Sequence, residues 1–287
     1  MSILFFATIK ILRRRQSVAR TGGGAKFRIT TTAPEFVILN GVAADLCKNI
    51  AAVRARIAAA ALRAGRDPSE IKLVAVSKTH PPKLLRQAIE SGMTVFGENK
   101  VQEAEAKIAE IGRNSAEWHL IGHLQKNKAR RAVQLFDFIH SVDSPELAER
   151  LERLCAEAGR PHLPILVQVD LAGESTKSGI AEEELPPLAE VLRRCEHLQF
   201  IGLMLLPPFF ENPEDARPYF RRLRQIRDAL AREGCFHGAG ELSMGMSHDF
   251  EAAIEEGATI VRVGTAIFGR RERFAPPAVL GASLISI

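Results

Sequence analysis

The stretch Leu73-Val74-Ala75-Val76-Ser77-Lys78 is typical of a buried β-strand that ends on a lysine. Its four successive apolar residues predict a parallel strand that is covered on both faces. The prolines at 81 and 82 end the pattern soon afterwards. Lys78 is therefore expected at the carboxyl end of a core strand, where an unpaired charge is costly to bury. Either this lysine reaches the edge of solvent or its amine takes part in chemistry.

Short apolar strands and amphipathic helices alternate along the rest of the chain, after an alanine-rich helix predicted over residues 46–64. Eight strands are predicted, over residues 72–77, 94–96, 118–121, 138–140, 165–171, 200–204, 241–243 and 259–263. Strict alternation indicates parallel strands joined by right-handed crossovers. Eight such units predict a single α/β domain, a (β/α)8 barrel of the TIM type. An open doubly wound sheet is the alternative, although no G-x-G-x-x-G motif follows the first strand.

Composition excludes several classes of protein. The 287 residues suffice for one barrel, and 46% hydrophobic with 25% charged residues are globular values. No apolar run reaches membrane-spanning length, so we expect no membrane association. The four cysteines form no C-x-x-C pair, which argues against a zinc site and a disulfide framework. The same cysteine pattern indicates a reducing compartment, the cytoplasm.

The positive charge is concentrated at the amino terminus. The first 34 residues contain seven lysines and arginines and no acidic residue, which leaves 32 basic and 34 acidic residues elsewhere. The predicted globular part is thus slightly acidic, and no nucleic-acid partner is expected. We assign residues 1–41 to a basic, disordered leader, residues 45–271 to the barrel and residues 272–287 to a tail. An organellar transit peptide is the alternative for the acid-free, arginine-rich leader.

Polar and glycine residues follow nearly every predicted strand, at the end of the barrel where active sites lie. The loop over residues 243–247 leads into a helix, Gly264 allows close backbone approach, and Thr265 adds a hydroxyl. Loops after strands 7 and 8 often bind phosphate with a helix amino terminus. A phosphate site across the barrel from the Lys78 amine is what pyridoxal 5′-phosphate (PLP) needs, with its aldehyde bound as a Schiff base.

Several motifs in this order resemble the pyridoxal phosphate homeostasis protein family, from about Asp45 to Arg271. The matching segments are Ala75-Val-Ser-Lys-Thr79, Phe96-Gly-Glu-Asn99, Trp118-His-x-Ile-Gly-x-Leu-Gln-x-Asn-Lys128, Lys177-Ser-Gly179, Leu242-Ser-Met-Gly-Met-Ser247 and Val261-Arg-x-Gly-Thr265. The resemblance implies a single barrel like the amino-terminal domain of alanine racemase, with PLP on Lys78.

The resemblance also implies roles for other residues. Ser247, Gly264 and Thr265 are expected to hold the phosphate, and Asn99 to belong to the cofactor site. Arg262 is expected to face the pyridine nitrogen. An arginine there keeps that nitrogen unprotonated, which weakens the ring as an electron sink and limits carbanion chemistry.

Three residues depart from the family pattern at the predicted pocket rim. Lys100 stands where the family commonly has tyrosine, His123 where it has proline, and His248 where it has an acidic residue. His119 and His123 are four residues apart, but no third ligand is evident, so we expect no metal site.

The favoured function is a monomeric PLP carrier that keeps free PLP low and delivers it to PLP-dependent apoenzymes, without turnover of its own. The alternative is a PLP enzyme such as a racemase, which needs two bases on opposite faces of the substrate carbon. The chain ends at Ile287, so no second base-bearing domain is expected, and its one tyrosine, Tyr219, falls on a predicted outer helix. A Schiff-base aldolase without cofactor is a third possibility, although there the lysine typically ends a later strand.

Overall fold

The computed structural model describes residues 35–173 and 178–269, with side chains from residue 45 onward. Eight parallel strands form a closed barrel in which β1 pairs with β8 and β4 with β5. Their bounds are β1 Lys72–Val76, β2 Val95–Glu98, β3 Glu117–Leu120, β4 Phe138–Val142, β5 Leu163–Asp170, β6 Leu198–Leu205, β7 Glu241–Ser243 and β8 Ile260–Val263. The predicted barrel is confirmed, and the open doubly wound sheet is wrong because the sheet closes on itself.

Helices lie before β1 and after every barrel strand. In the described ranges they are α1 Glu35–Arg63, α2 Pro82–Glu90, α3 Val101–Ile111, α4 Ala129–Leu135, α5 Pro145–Glu157, α6 Leu185–Arg193, α7 Arg217–Arg232, α8 Phe250–Glu255 and α9 Thr265–Phe268. Single 3-10 turns cover Pro68–Glu70, Arg113–Ser115, Lys126–Lys128, Glu182–Glu184 and Pro213–Ala216. The boundaries follow local chemistry: Ser144 caps α5 by accepting a hydrogen bond from Leu147 N (3.3 Å), ahead of Pro145 in the first turn.

The structure changes three details of the sequence-based prediction. Helix α1 begins at Glu35, so residues 35–41, which we assigned to the leader, are helical. The two-residue strand Ile180–Ala181, which pairs with the carboxyl end of β5, and helix α9 were not predicted. Residues 1–34, the loop segment 174–177 with Lys177, and the predicted tail 272–287 lie outside the described residues.

The core has two layers because successive strand residues point to opposite sides of the barrel wall. Residues inside the barrel form a small apolar cluster with Val74, Phe138 and Ile260 among its members. A larger cluster fills the space between the strands and the helices, where the rings of Phe96 and Trp118 lie 5.6 Å apart. Completely burying such a large side chain contributes about 2–3 kcal/mol.

Helix α1, which precedes the first strand, packs against the last two helices of the barrel, α8 and α9. Asn49 Nδ2 donates a hydrogen bond to the Ile267 carbonyl oxygen of α9 (3.0 Å), and Arg56 forms a bidentate ion pair with Glu251 of α8 (2.7 and 2.9 Å). The Arg56 guanidinium also lies 4.5 Å from the centre of the Phe250 ring. None of the helices that the structure describes is long and apolar enough to cross a bilayer.

Candidate functional site

A cavity of about 300 Å³ opens at the carboxyl ends of the strands and contains the predicted site. Its walls come from the ends of β1, β2, β3, β6, β7 and β8 and from the loops that follow them. The structure brings together in this cavity all six residues predicted to bind the cofactor, namely Lys78, Asn99, Ser247, Arg262, Gly264 and Thr265.

Lys78 follows β1, and side-chain hydrogen bonds hold the backbone of the residues before and after it. It is half-buried and lines the cavity. On one side, Lys107 Nζ donates to the Ser77 carbonyl oxygen (2.7 Å). On the other side, the backbone N–H of Thr79 donates to Glu103, and Thr79 has a left-handed φ of 67°. A threonine rarely adopts this conformation, so the surrounding contacts impose it.

The side chains that hold this loop form a buried charge cluster. Lys107 Nζ lies 2.7 Å from both Glu98 Oε1 and Glu103 Oε1, and Ser77 Oγ lies 2.6 Å from Glu98 Oε1. Burial raises the pKa of Glu98, while the charge of Lys107 opposes that rise. At Glu103 burial also raises the pKa, but hydrogen bonds from Lys107 and Thr79 N outweigh it, so the pKa is lowered.

Sequence reasoning missed Lys107. Its four-residue spacing from Glu103 is that of an ordinary exposed ion pair on a helix. The signal that could have identified it was Glu98, a carboxylate that directly follows a buried strand and needs a cation nearby.

Ser247 and the start of α9 form one wall of the cavity. Ser247 Oγ accepts hydrogen bonds from the backbone N–H groups of Gly264 (3.2 Å) and Ala266 (3.3 Å). A Cβ atom on Gly264 would lie 3.4 Å from both Cβ and the carbonyl oxygen of Val76, an ordinary van der Waals distance, so Gly264 packs directly against the end of β1. Hydroxyls and backbone N–H groups therefore gather at one point, as an anion requires.

Arg262 projects from β8 into the barrel and is only 2% exposed. Its Nη1 donates to Ser243 Oγ (2.6 Å), and its Nη2 donates to the Leu205 carbonyl oxygen (2.8 Å). Burial lowers the pKa of Arg262 to about 10, with the charge of Asp249 acting in the opposite direction. Arg262 therefore remains a cation at neutral pH.

Asn99 lines the cavity and has one acceptor atom without a partner in the described part of the chain. Its Oδ1 atom is buried and has no hydrogen-bond partner among the described residues. Such an atom carries a free-energy cost unless a ligand or water pairs with it. Gly122 packs closely against the Asn99 backbone, since a Cβ atom on Gly122 would lie only 2.8 Å from Asn99 Cα.

The three departures from the family pattern lie in two places. His248 lines the Lys78 cavity, where its Nε2–H donates to the Glu211 carbonyl oxygen (2.9 Å) and its ring lies 5.6 Å from that of Phe209. Lys100 and His123 instead line a neighbouring cavity of about 340 Å³.

His119 and His123 do not form a pair. His119 is fully buried inside the barrel, whereas His123 is half-exposed and lies 3.1 Å from Asp143. No group of three metal-ligating side chains occurs in residues 45–173 and 178–269.

The residues of the Lys78 cavity fit PLP in their chemistry. The cavity combines a primary amine for an aldehyde, clustered hydroxyl and N–H donors for a phosphate, and a buried guanidinium beside the place for a ring. The unpaired Asn99 oxygen adds an acceptor for a polar substituent. Among the residues that the structure describes, the titratable groups that line the cavity are Lys78, His80, His248 and Arg262.

Comparisons with known proteins agree with this geometry. The family model described as the alanine racemase N-terminal domain matches residues 49–272. A pyridoxal phosphate homeostasis protein of Aquifex aeolicus is 44% identical over 229 residues, which are 79% of this chain and 99% of that protein.

Solved structures that are similar to this chain have the same barrel fold. The structure of PipY from Synechococcus elongatus with PLP bound is 38% identical, with a TM-score of 0.67 over 78% of this chain and 100% of that one. Alanine racemase of Corynebacterium glutamicum is 21% identical, with a TM-score of 0.61 over 80% of this chain and 62% of that one, and supports the fold alone.

Proposed function

Because this chain belongs to the pyridoxal phosphate homeostasis protein family, we propose that it binds PLP in the Lys78 cavity and acts in PLP homeostasis. The observation that carries the proposal is the convergence of the six predicted residues on one cavity. The relative crystallised with PLP, which this chain covers completely, supports the choice of cofactor.

Each residue has a role that its surroundings support. The Lys78 amine condenses with the PLP aldehyde, with loss of water, and so anchors the cofactor covalently. Ser247 and Thr265 hold the phosphate through their hydroxyls, and the N–H groups of Gly264 and Ala266 fix the position of Ser247 Oγ. Arg262 donates both of its described hydrogen bonds to protein oxygens and has no lone pair, so it cannot accept a hydrogen bond from a protonated ring nitrogen.

We further propose that the protein holds and releases PLP and does not turn over a substrate. A ring nitrogen that faces a cation stays unprotonated, and an unprotonated ring is a poor electron sink. Tyr219 lies on the outer helix α7 against Phe210, with ring centres 5.8 Å apart, and is not among the residues that line the cavity. In this proposal the protein is a cytoplasmic monomer that passes PLP to apoenzymes.

Replacement of the anchoring amine tests the binding proposal. Wild-type protein reduced with borohydride after incubation with PLP should yield one phosphopyridoxyl peptide, which contains Lys78. Lys78→Ala should lose both this label and the visible absorbance of bound PLP. Lys83→Ala, which removes an exposed lysine from α2, is the matched control and should keep both. Label on another lysine of the wild type would refute the assignment.

Hydrogen exchange on substrates tests the absence of turnover. PLP-loaded protein in deuterated water should exchange the α-hydrogen of alanine no faster than free PLP at the same concentration. Faster exchange that is lost in Lys78→Ala would favour the racemase alternative, with His80 or His248 at the rim as candidate bases. Transfer of PLP to an apoenzyme, followed by recovery of that enzyme's activity, measures the delivery function directly.

A further inference from the structure

A continuous chain of hydrogen-bonded side chains crosses the interior of the barrel. Ser243 Oγ lies 2.9 Å from His140 Nδ1, His140 Nε2 lies 2.8 Å from His119 Nδ1, and His119 Nε2 lies 2.6 Å from Glu117 Oε1. At one end Ser243 accepts from Arg262, which lines the Lys78 cavity. At the other end Glu117 is the first residue of β3, and it pairs with Lys72, the first residue of β1 (3.1 Å). The chain thus joins the two ends of the barrel.

The two ends of this chain fix the position of every proton in it. The hydrogen bond from His119, acting against partial burial and aided by Lys72, lowers the pKa of Glu117 to about 2, so Glu117 can only accept. His119 must then donate from Nε2. Burial lowers the pKa of both histidines, most strongly at His140, so each ring carries a single proton at neutral pH.

The remaining hydrogen bonds follow one after another. His119 Nδ1 is left as an acceptor, so His140 donates to it from Nε2. His140 Nδ1 then accepts from the Ser243 hydroxyl, and Ser243 Oγ is left to accept from Arg262, which only donates. All hydrogens point from Arg262 towards Glu117, and no donor or acceptor within the chain is left over.

We propose that Glu117 acts as a remote positioning residue for the cofactor site, because it sets the direction of a hydrogen-bond chain that ends on Arg262. The inference rests on the proposed function, in which Arg262 faces the PLP ring. Hydrogen bonds that run in one direction polarise one another, so the acceptor oxygen at position 117, by fixing that direction, makes Ser243 Oγ a stronger acceptor for the guanidinium.

Without Glu117 the chain is free to reverse. His119 would donate from Nδ1 to His140, and His140 would donate from Nδ1 to Ser243. Ser243 Oγ would then accept from both His140 and Arg262, and its own hydrogen would lose its acceptor. The other charged groups near the histidines are Lys72, Asp137 and Arg262, and none of them makes a described hydrogen bond to either ring.

Nitrogen NMR of the full-length, cofactor-free protein tests the direction of the hydrogen-bond chain without reference to PLP. In the wild type at pH 7, His119 and His140 should both be neutral and protonated at Nε2, with their signals assigned by loss in His119→Gln and His140→Gln. A ring protonated at Nδ1, or a doubly protonated ring, at either position would overturn the proposal. This measurement requires only that the wild-type protein folds.

Variants at position 117 test whether Glu117 sets the tautomers of His119 and His140. Glu117→Leu should move the His119 proton wholly or partly to Nδ1, whereas Glu117→Gln, whose amide oxygen still accepts, should preserve the wild-type tautomers. Glu241→Leu is the matched control because Glu241 also begins a barrel strand, β7, at the same end. Unchanged tautomers in Glu117→Leu would refute the role of Glu117.

Cofactor binding then shows whether the chain acts on the site. Loss of one well-placed hydrogen bond corresponds to about tenfold weaker binding, so Glu117→Leu should bind PLP about tenfold more weakly and shift the spectrum of bound PLP. Glu117→Gln and Glu241→Leu should bind PLP like the wild type. Altered tautomers with unchanged binding and spectrum would overturn the positioning role. Failure of the wild type to bind PLP would instead contradict the proposed function and leave the tautomer result standing.

Discussion

Thr265 is the residue of the cavity whose role can be separated most cleanly from stability. Its side chain is exposed, and the structure gives it no part in the packing of the core. Its neighbours Gly264 and Ala266 donate to Ser247, so the backbone here is held without the threonine hydroxyl.

Thr265→Ala should therefore weaken PLP binding and leave the fold intact. A hydrogen bond to a charged phosphate contributes about 1.5–3 kcal/mol, so the equilibrium dissociation constant for PLP should rise about tenfold or more. Thermal unfolding without PLP should not change measurably, as expected for an exposed position. Thr94→Ala, an exposed threonine near the amino end of β2, should alter neither quantity. A collapse of the melting temperature in Thr265→Ala would make Thr265 structural.

At the scale of the elements, α3 acts as a support for the end of β1. Lys107 reaches from α3 to Ser77 and is 5% exposed, while its partner Glu98 is fully buried at the end of β2. The ion pair, the backbone of Lys78 and the left-handed Thr79 thus depend on one another.

Lys107→Met should be strongly destabilising, because it leaves the buried Glu98 carboxylate without its cation. Breaking a buried ion pair costs about 3–5 kcal/mol, measurable by urea unfolding. Replacing both partners, in Lys107→Met with Glu98→Met, should recover much of this loss. Lys100→Met changes an exposed lysine at the start of the same helix and serves as control. A loss below about 1 kcal/mol in Lys107→Met would contradict a buried-pair role.

The elements that could be predicted from sequence are those with a strong local pattern. β1 and β8 were placed to within a residue because apolar runs mark them directly. The start of α1 at Glu35 was missed because the segment over residues 35–44 follows a basic, glycine-containing stretch without a clear cap. Helix α9 was missed because four residues are too short to show a period.

The site was predictable where a residue type implies its own chemistry. Lys78 and the loops after β7 and β8 could be found because amines and hydroxyls at strand ends point to ligands. The contact between His119 and His140 could not, because it requires the register of two neighbouring strands, in which His119 pairs with Phe138. Sequence spacing carries no information about that register.

At the scale of the whole molecule, the buried histidines make stability depend on pH. Their pKa values are lowered in the folded protein, so the unfolded chain takes up protons below about pH 6.5 that the folded barrel does not. The free energy of unfolding should therefore fall between pH 7 and 5, by up to about 1.4 kcal/mol per pH unit for each histidine that stays neutral.

Urea unfolding of the cofactor-free protein at several pH values checks this dependence. The slope of the free energy of unfolding against pH gives the number of protons taken up on unfolding. His140→Gln should reduce that number by up to one, whatever its effect on stability at pH 7. His162→Gln removes an exposed histidine and should leave the slope unchanged. Stability that stays constant between pH 7 and 5 would mean that the histidines become charged in the folded barrel.

The hydrogen bond between Asn49 and Ile267 brings the first helix of the barrel into contact with the last. Because α1 lies against α8 and α9, the first and last elements that the structure describes are neighbours, and a peptide could link them. A circularly permuted chain that began in the exposed turn at Gly238 and Ala239 would keep every strand beside its present partners. Lys78 would then belong to the third β/α unit, after β7 and β8, so its place at the first strand reflects chain order and is not required for the chemistry.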